Sequence, residues 1–91
     1  MVAAVVLIRA VPGDVPALAR SIAGIDGVAE VYSVSGDQDL IAILRVEQYD
    51  RIAQIVTEEI AQVSGIERTN TLTAFRVYSK QDLEGAWGMF D

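Results

Sequence analysis

Apolar residues in this chain alternate between strand-like runs and helical stripes, and that alternation predicts most of the fold. Val2-Ala3-Ala4-Val5-Val6-Leu7-Ile8-Arg9 is a continuous apolar run bounded by Pro12-Gly13-Asp14. It is too short for a helix and predicts a strand with both faces buried. Val15, Leu18, Ala19 and Ile22 then recur at helical spacing, with Arg20 and Ser21 on the other side. Asp14 is placed to cap that helix, Pro16 is tolerated in its first turn, and Gly24 and Gly27 end it. Two further apolar runs, Val28 to Val34 and Leu40 to Val46, flank Ser35-Gly36-Asp37-Gln38-Asp39 and read as a hairpin with an acidic connection. Tyr49, Ile52, Val56, Ile60 and Val63 form a second helical stripe that Gly65 stops. Ile66 to Tyr78 is a long strand candidate, alternating through Thr69, Thr71 and Thr73. Ser79-Lys80-Gln81-Asp82 has the form of a capping box opening a short helix to about Trp87.

The order is strand, helix, strand, strand, helix, strand, tail. A faint repeat supports it: Gly27-Val28-Ala29-Glu30 and Gly65-Ile66-Glu67-Arg68 each follow a helix and open a strand. Two such βαβ units predict an α+β fold, the ferredoxin-like βαββαβ plait, with an antiparallel sheet and both helices on one face. The other face should then be polar in a monomer, yet the first and third strands are apolar on both sides. A second copy of the same sheet is the simplest cover, so the pattern predicts a homodimer paired face to face as a dimeric α/β barrel or sandwich.

Composition narrows the function. The 91 residues suffice for one domain, and 52% of them are hydrophobic, with a mean hydropathy of +0.33. No apolar run approaches the roughly 20 residues that cross a bilayer, and the first apolar run lacks the basic segment of a signal peptide. Without cysteine there is no disulfide framework, which makes the cytoplasm the expected compartment. A net charge of −6 with scattered bases argues against nucleic acid, which needs clustered Lys and Arg. The absence of histidine removes the usual general base and commonest metal ligand, and no Gly-rich phosphate loop is present. The expectation is a chain that is not an enzyme, carries no cofactor and touches neither membrane nor DNA directly.

The acidic loop is the strongest candidate for chemistry. Asp37 and Asp39 can accept charge-assisted hydrogen bonds from an ammonium group. Gly36, lacking a Cβ, lets backbone N–H groups approach a carboxylate. The same aspartates also suit a turn in which they bond their own backbone. An Asp-x-Asp pair suits calcium too, but no further acidic ligands follow at loop spacing. Arg9 and Arg45 end the first and third strands; read as adjacent and parallel, those strands could bring the two arginines together at an anion, but ion pairing with Glu47 or with a partner chain is the favoured expectation. Tyr32 and Tyr49 also suit packing roles, and Trp87, Met89 and Phe90 form an apolar cluster suited to docking on a neighbouring subunit.

Val31-Tyr32-Ser33-Val34-Ser35-Gly36-Asp37-Gln38-Asp39-Leu40 and Gly65-Ile66-Glu67-Arg68-Thr69-Asn70-Thr71, at this separation, resemble the effector-binding (RAM) domain of Lrp/AsnC transcription regulators. The resemblance covers nearly the whole chain, with residues 1–78 as the ligand-binding domain and 79–91 as a C-terminal helical tail. It implies a stand-alone form, since the first strand leaves no room ahead of it for a helix-turn-helix domain. It also implies dimers assembling into rings of four or five (octamer or decamer), with an amino acid or related effector in clefts between dimers. Full-length Lrp/AsnC regulators are the implied partners. Family correspondence places Ser33, Asp39, Leu72, Thr73, Ala74 and Tyr49 near effector-responsive positions. Thr71 and Thr73 alternate onto one strand face, where their hydroxyls could fix a polar effector side chain. Gln38, where the family often has an aromatic, and Thr73, where it often has an aliphatic, both point to an effector more polar than leucine.

Two other classes fit the same fold. One is a small cofactor-free enzyme, a monooxygenase or isomerase, on a dimeric α+β barrel. The other is a purely structural ring-former, which would assemble without responding to any ligand.

Overall fold

The computed structural model describes residues 1–80. The elements are β1 (Val2–Ala10), α1 (Val15–Ala23), β2 (Val28–Ser33), β3 (Leu40–Val46), α2 (Tyr49–Gln54) and β4 (Ile66–Thr73). Between α2 and β4 the helical path widens into a π turn, Ile55–Glu59, then tightens into a 3₁₀ turn, Ile60–Gln62. The sheet runs β2-β3-β1-β4, and every neighbouring pair is antiparallel. This is the ferredoxin-like plait expected from the order of patterns.

Local chemistry explains the helix starts and stops. The Asp14 carboxylate accepts from the Ala17 N–H at 3.0 Å, satisfying a donor that the first turn leaves free. Gly27 follows α1 with φ of +101°, and a Cβ there would sit 2.6 Å from Ile55 Cδ1 and 3.0 Å from Val46 Cγ1. Only glycine meets both the backbone sign and the close approach.

The core lies between the helices and one sheet face. Ala4, Val6 and Ile8 of β1 and Leu40, Ala42 and Leu44 of β3 are all 0% exposed, packed with Leu18, Ile22, Ile52, Ile55 and Ile60. The opposite face of the same strands carries Ala3, Val5, Leu7, Ile41 and Ile43, which are half-buried. β1 is therefore sealed on one face in this chain, where the apolar run predicted burial on both.

Three further expectations need correction. The second helical stripe named Val56 and Val63, but Ile55 is wholly buried while those two are only partly so. The π turn is the cause: the Ile60 N–H bonds to the Ile55 carbonyl, so residues five apart share a face. Thr57 Oγ donates to the Ala53 carbonyl at 2.6 Å within this bend, and Arg51 ties its far end to Glu59 at 2.6 Å. The last strand ends at Thr73, short of the Tyr78 expected. Its partner β1 runs out there: Thr73 faces Ala4, the Ala74 N–H reaches the Ala3 carbonyl at 2.9 Å, and little of β1 remains to pair. Lastly, β1 and β3 are antiparallel. A helical crossover keeps β2 in the sense of β1, and the hairpin then reverses β3. Arg45 consequently lies opposite Ala3 and Arg9 opposite Arg68, at opposite ends of the sheet, and the two arginines cannot share an anion within one chain.

The expected terminal helix beyond Lys80 and the Trp87, Met89 and Phe90 cluster lie outside the described residues. No helix among the described residues is long and apolar enough to cross a membrane.

Candidate functional site

The β2–β3 loop is tied to the end of β1 by one side chain. The Val34 N–H donates to the Asp39 carbonyl at 3.1 Å, and the Asp39 N–H donates to the Ile8 carbonyl at 2.9 Å. The Asp39 carboxylate then accepts from the Ala10 N–H at 2.7 Å through Oδ2. That N–H sits where the β1–β4 register shifts between Arg9 and Ala10, a point at which a strand donor tends to be left off the ladder. Asp39 thus bonds a backbone group far along the chain rather than its own turn. Its position is fixed, and Oδ1 makes no hydrogen bond among the described residues.

Gly36 adopts φ of +113° with nothing within 4 Å of where a Cβ would stand, so it is the backbone sign alone that calls for glycine. Asp37 is exposed and its carboxylate has no partner among the described residues. Gly36, Asp37 and Asp39 line a cleft of about 410 Å³ with Arg9, Glu67 and the Ala10–Gly13 turn. The cleft presents three carboxylates and one guanidinium, with glycine backbone at two points of the wall. No three acidic side chains among the described residues converge as a metal site would require.

The other candidate residues lie elsewhere. Ser33 is exposed at the end of β2, opposite Leu40. Gln38 turns away from the loop cleft into a neighbouring groove with Arg68, Thr69 and Asn70. On β4, Thr71 faces Val6 and Thr73 faces Ala4, the helix side of the sheet, whereas Leu72 faces Val5 on the open side and is 51% exposed. Tyr49 and Ala74 stand at the opposite end of the sheet, in a second cleft of about 420 Å³ with Arg45 and Arg76. A single chain thus brings Gly36, Asp37 and Asp39 together and keeps Tyr49 and Ala74 apart from them.

Aromatic exposure follows the same division. Tyr49 is 57% exposed and Tyr32, on the open sheet face, is 48% exposed, so neither is a packing residue within this chain. The Tyr32 hydroxyl titrates above its ordinary value because it hydrogen-bonds the Glu30 carboxylate, whose charge also opposes ionisation; Arg45 pulls weakly the other way.

The Lrp/AsnC ligand binding domain model matches residues 3–83. The chain belongs to that family. TTHA0845 of Thermus thermophilus is 45% identical and superposes with a TM-score of 0.82 over 88% of this chain and 100% of its own. The HTH-type transcriptional regulator PH1916 of Pyrococcus horikoshii is 34% identical over 58 residues, which is 64% of this chain but 39% of that regulator. A Neisseria meningitidis transcriptional regulator, NMB0573, whose structure is an L-Met complex, shares the fold at a TM-score of 0.75 with 11% identity, over 86% of this chain and 52% of its own.

Within this Lrp/AsnC domain, two residues of the loop cleft escaped the sequence reading as cleft partners of the loop. In the sequence Arg9 stands out as the end of the first strand, and Glu67 as part of the repeat and of the Gly65–Thr71 motif, neither with a link to the loop. The signal that finds them is register: Arg9 and Arg68 are cross-strand partners, which puts the Glu67 end of β4 beside the Asp39 tie.

Proposed function

We propose that this Lrp/AsnC domain binds an amino acid or a closely related zwitterion and serves as an oligomeric effector-sensing module for transcription regulators. It performs no catalysis and reaches DNA only through full-length regulators of the family. The observation that carries this reading is the loop cleft, which is lined by the carboxylates of Asp37, Asp39 and Glu67 and by the Arg9 guanidinium. Carboxylates suit an ammonium group, and a guanidinium or glycine backbone suits a carboxylate, so the cleft has both poles that a free amino acid requires. That NMB0573 forms an L-Met complex supports the ligand class.

Ser33, Gln38, Thr71, Leu72, Thr73, Ala74 and Tyr49 join the site only through assembly. The open sheet face pairs two copies, dimers pack into rings, and a neighbouring chain supplies the residues that one chain keeps apart. The exposed aliphatic and aromatic residues of that face, Leu72 and Tyr32 among them, favour such pairing.

The test is a thermal-shift screen against the common amino acids, with Asp39→Asn alongside. Asparagine keeps an acceptor for the Ala10 N–H and removes the charge, so the variant should fold normally. A ligand at about 100 times its dissociation constant adds about 2.7 kcal/mol per site. The reading predicts a selective shift of several degrees that Asp39→Asn loses. No shift with any amino acid would overturn it.

A further inference from the structure

We propose that the loop cleft is selective for a dibasic amino acid, one whose side chain ends in a second cation as lysine and arginine do. This selectivity rests on the amino-acid reading of the cleft and narrows it to one class of side chain.

Every free amino acid brings one α-ammonium and one α-carboxylate. Asp39 suits the ammonium: the Ala10 N–H holds its Oδ2 at 2.7 Å, and Oδ1 makes no hydrogen bond among the described residues. Arg9 suits the carboxylate, and its guanidinium forms no ion pair among the described residues, unlike that of Arg51. Asp37 and Glu67 then remain in the cleft with no protein cation paired to either. Arg68 stands across the strands from Arg9, yet it lines the neighbouring groove with Gln38. A neutral effector leaves both acids facing the bound zwitterion unmatched. A terminal ammonium or guanidinium offsets them through charge-assisted hydrogen bonds. The same two acids repel an effector with an acidic side chain, so they discriminate in both directions.

Size and wall chemistry agree. The cleft volume of about 410 Å³ falls in the range of small-molecule sites, roughly 300–1,000 Å³. Val11 and Pro12 add apolar wall. Long basic side chains lay their methylene groups along such a surface and keep the charged end among polar groups. Asp37 and Glu67 are both exposed, so ions in solution screen them and the preference should shrink as salt rises.

The test is calorimetric titration of the full chain with L-lysine, L-arginine, L-norleucine and L-glutamate at low, constant ionic strength. Norleucine has the lysine stem without its terminal ammonium. Lysine and arginine should bind about tenfold or more tightly than norleucine, with glutamate the weakest of the four. Asp37→Asn and Glu67→Gln change exposed side chains and should fold normally. Each should narrow the ratio of lysine to norleucine affinity, and the double variant should bring it close to one. Norleucine binding as tightly as lysine, or a ratio unchanged in the double variant, overturns the proposal. So does glutamate binding as tightly as lysine, the result expected if a neighbouring chain brought Arg45 and Arg76 to the cleft along with Tyr49. Any of these outcomes leaves the amino-acid reading standing, whereas no binding by any amino acid overturns both.

Discussion

The two faces of this sheet are made of the same kinds of residue and differ in what covers them. On the helix side Ala4, Val6, Ile8, Leu40, Ala42 and Leu44 are wholly buried. On the open side Val5, Leu7, Ile41 and Ile43 are equally aliphatic but only half-buried, and Tyr32 and Leu72 beside them are about half exposed. A strand whose outer face met water would alternate apolar with polar. β1 and β3 do not, so the difference lies in what covers each face and not in the strands. One face is sealed by this chain's own helices; the other is the face to which the proposed function assigns association.

That division can be broken most forcefully from the inside. Leu44→Ala removes a fully buried side chain beneath the helices and should cost about 2–5 kcal/mol, read as a fall in the denaturation midpoint. Ile41→Lys, at the centre of the open face between Leu7 and Tyr32, should behave differently. It should leave the fold of the single chain in place and shift the sedimentation profile to monomer. An Ile41→Lys protein that unfolds as readily as Leu44→Ala would erase the distinction between the faces. Asp39→Ala probes the seam where the loop meets β1: it leaves the Ala10 N–H without its acceptor and should cost about 1–3 kcal/mol. Asp39→Asn should cost less than Asp39→Ala, and equal losses would show that charge, not the backbone tie, holds the loop. The smallest effect concerns Tyr32. Its raised pKa means that the neutral hydroxyl is favoured in the fold, so the associated stabilisation is present below the ordinary tyrosine pKa and is lost as pH rises through the raised one. Glu30→Gln should move the Tyr32 titration, followed by phenolate absorbance, back toward its ordinary value.

Much of this architecture is legible in the chain itself. The run from Val2, the stripe from Val15 to Ile22 and the hairpin around Gly36 each carry a local signal, either a periodicity or a turn residue, and each lies where that signal places it. What escaped depends on partners distant in sequence. The end of β4 at Thr73 is set by where β1 begins, not by anything in residues 74–78. The burial of Ile55 follows from a π turn, which a fixed 3.6-residue period cannot represent. The separation of Arg9 from Arg45 follows from strand sense, which only the full succession of crossover and hairpin defines. For the site, the acidic loop was visible because Gly36 and two aspartates interrupt apolar runs. The bond from Asp39 to Ala10 was not, because it spans 29 residues and joins a side chain to a backbone group that any residue would supply.

Native mass spectrometry with and without the amino acid that gives the largest thermal shift tests the proposed association of the open sheet face and the proposed amino-acid cleft at once. The predicted result is an even-numbered assembly of this chain that gains the mass of bound amino acid. A folded monomer at micromolar concentration that gains no ligand mass would contradict it.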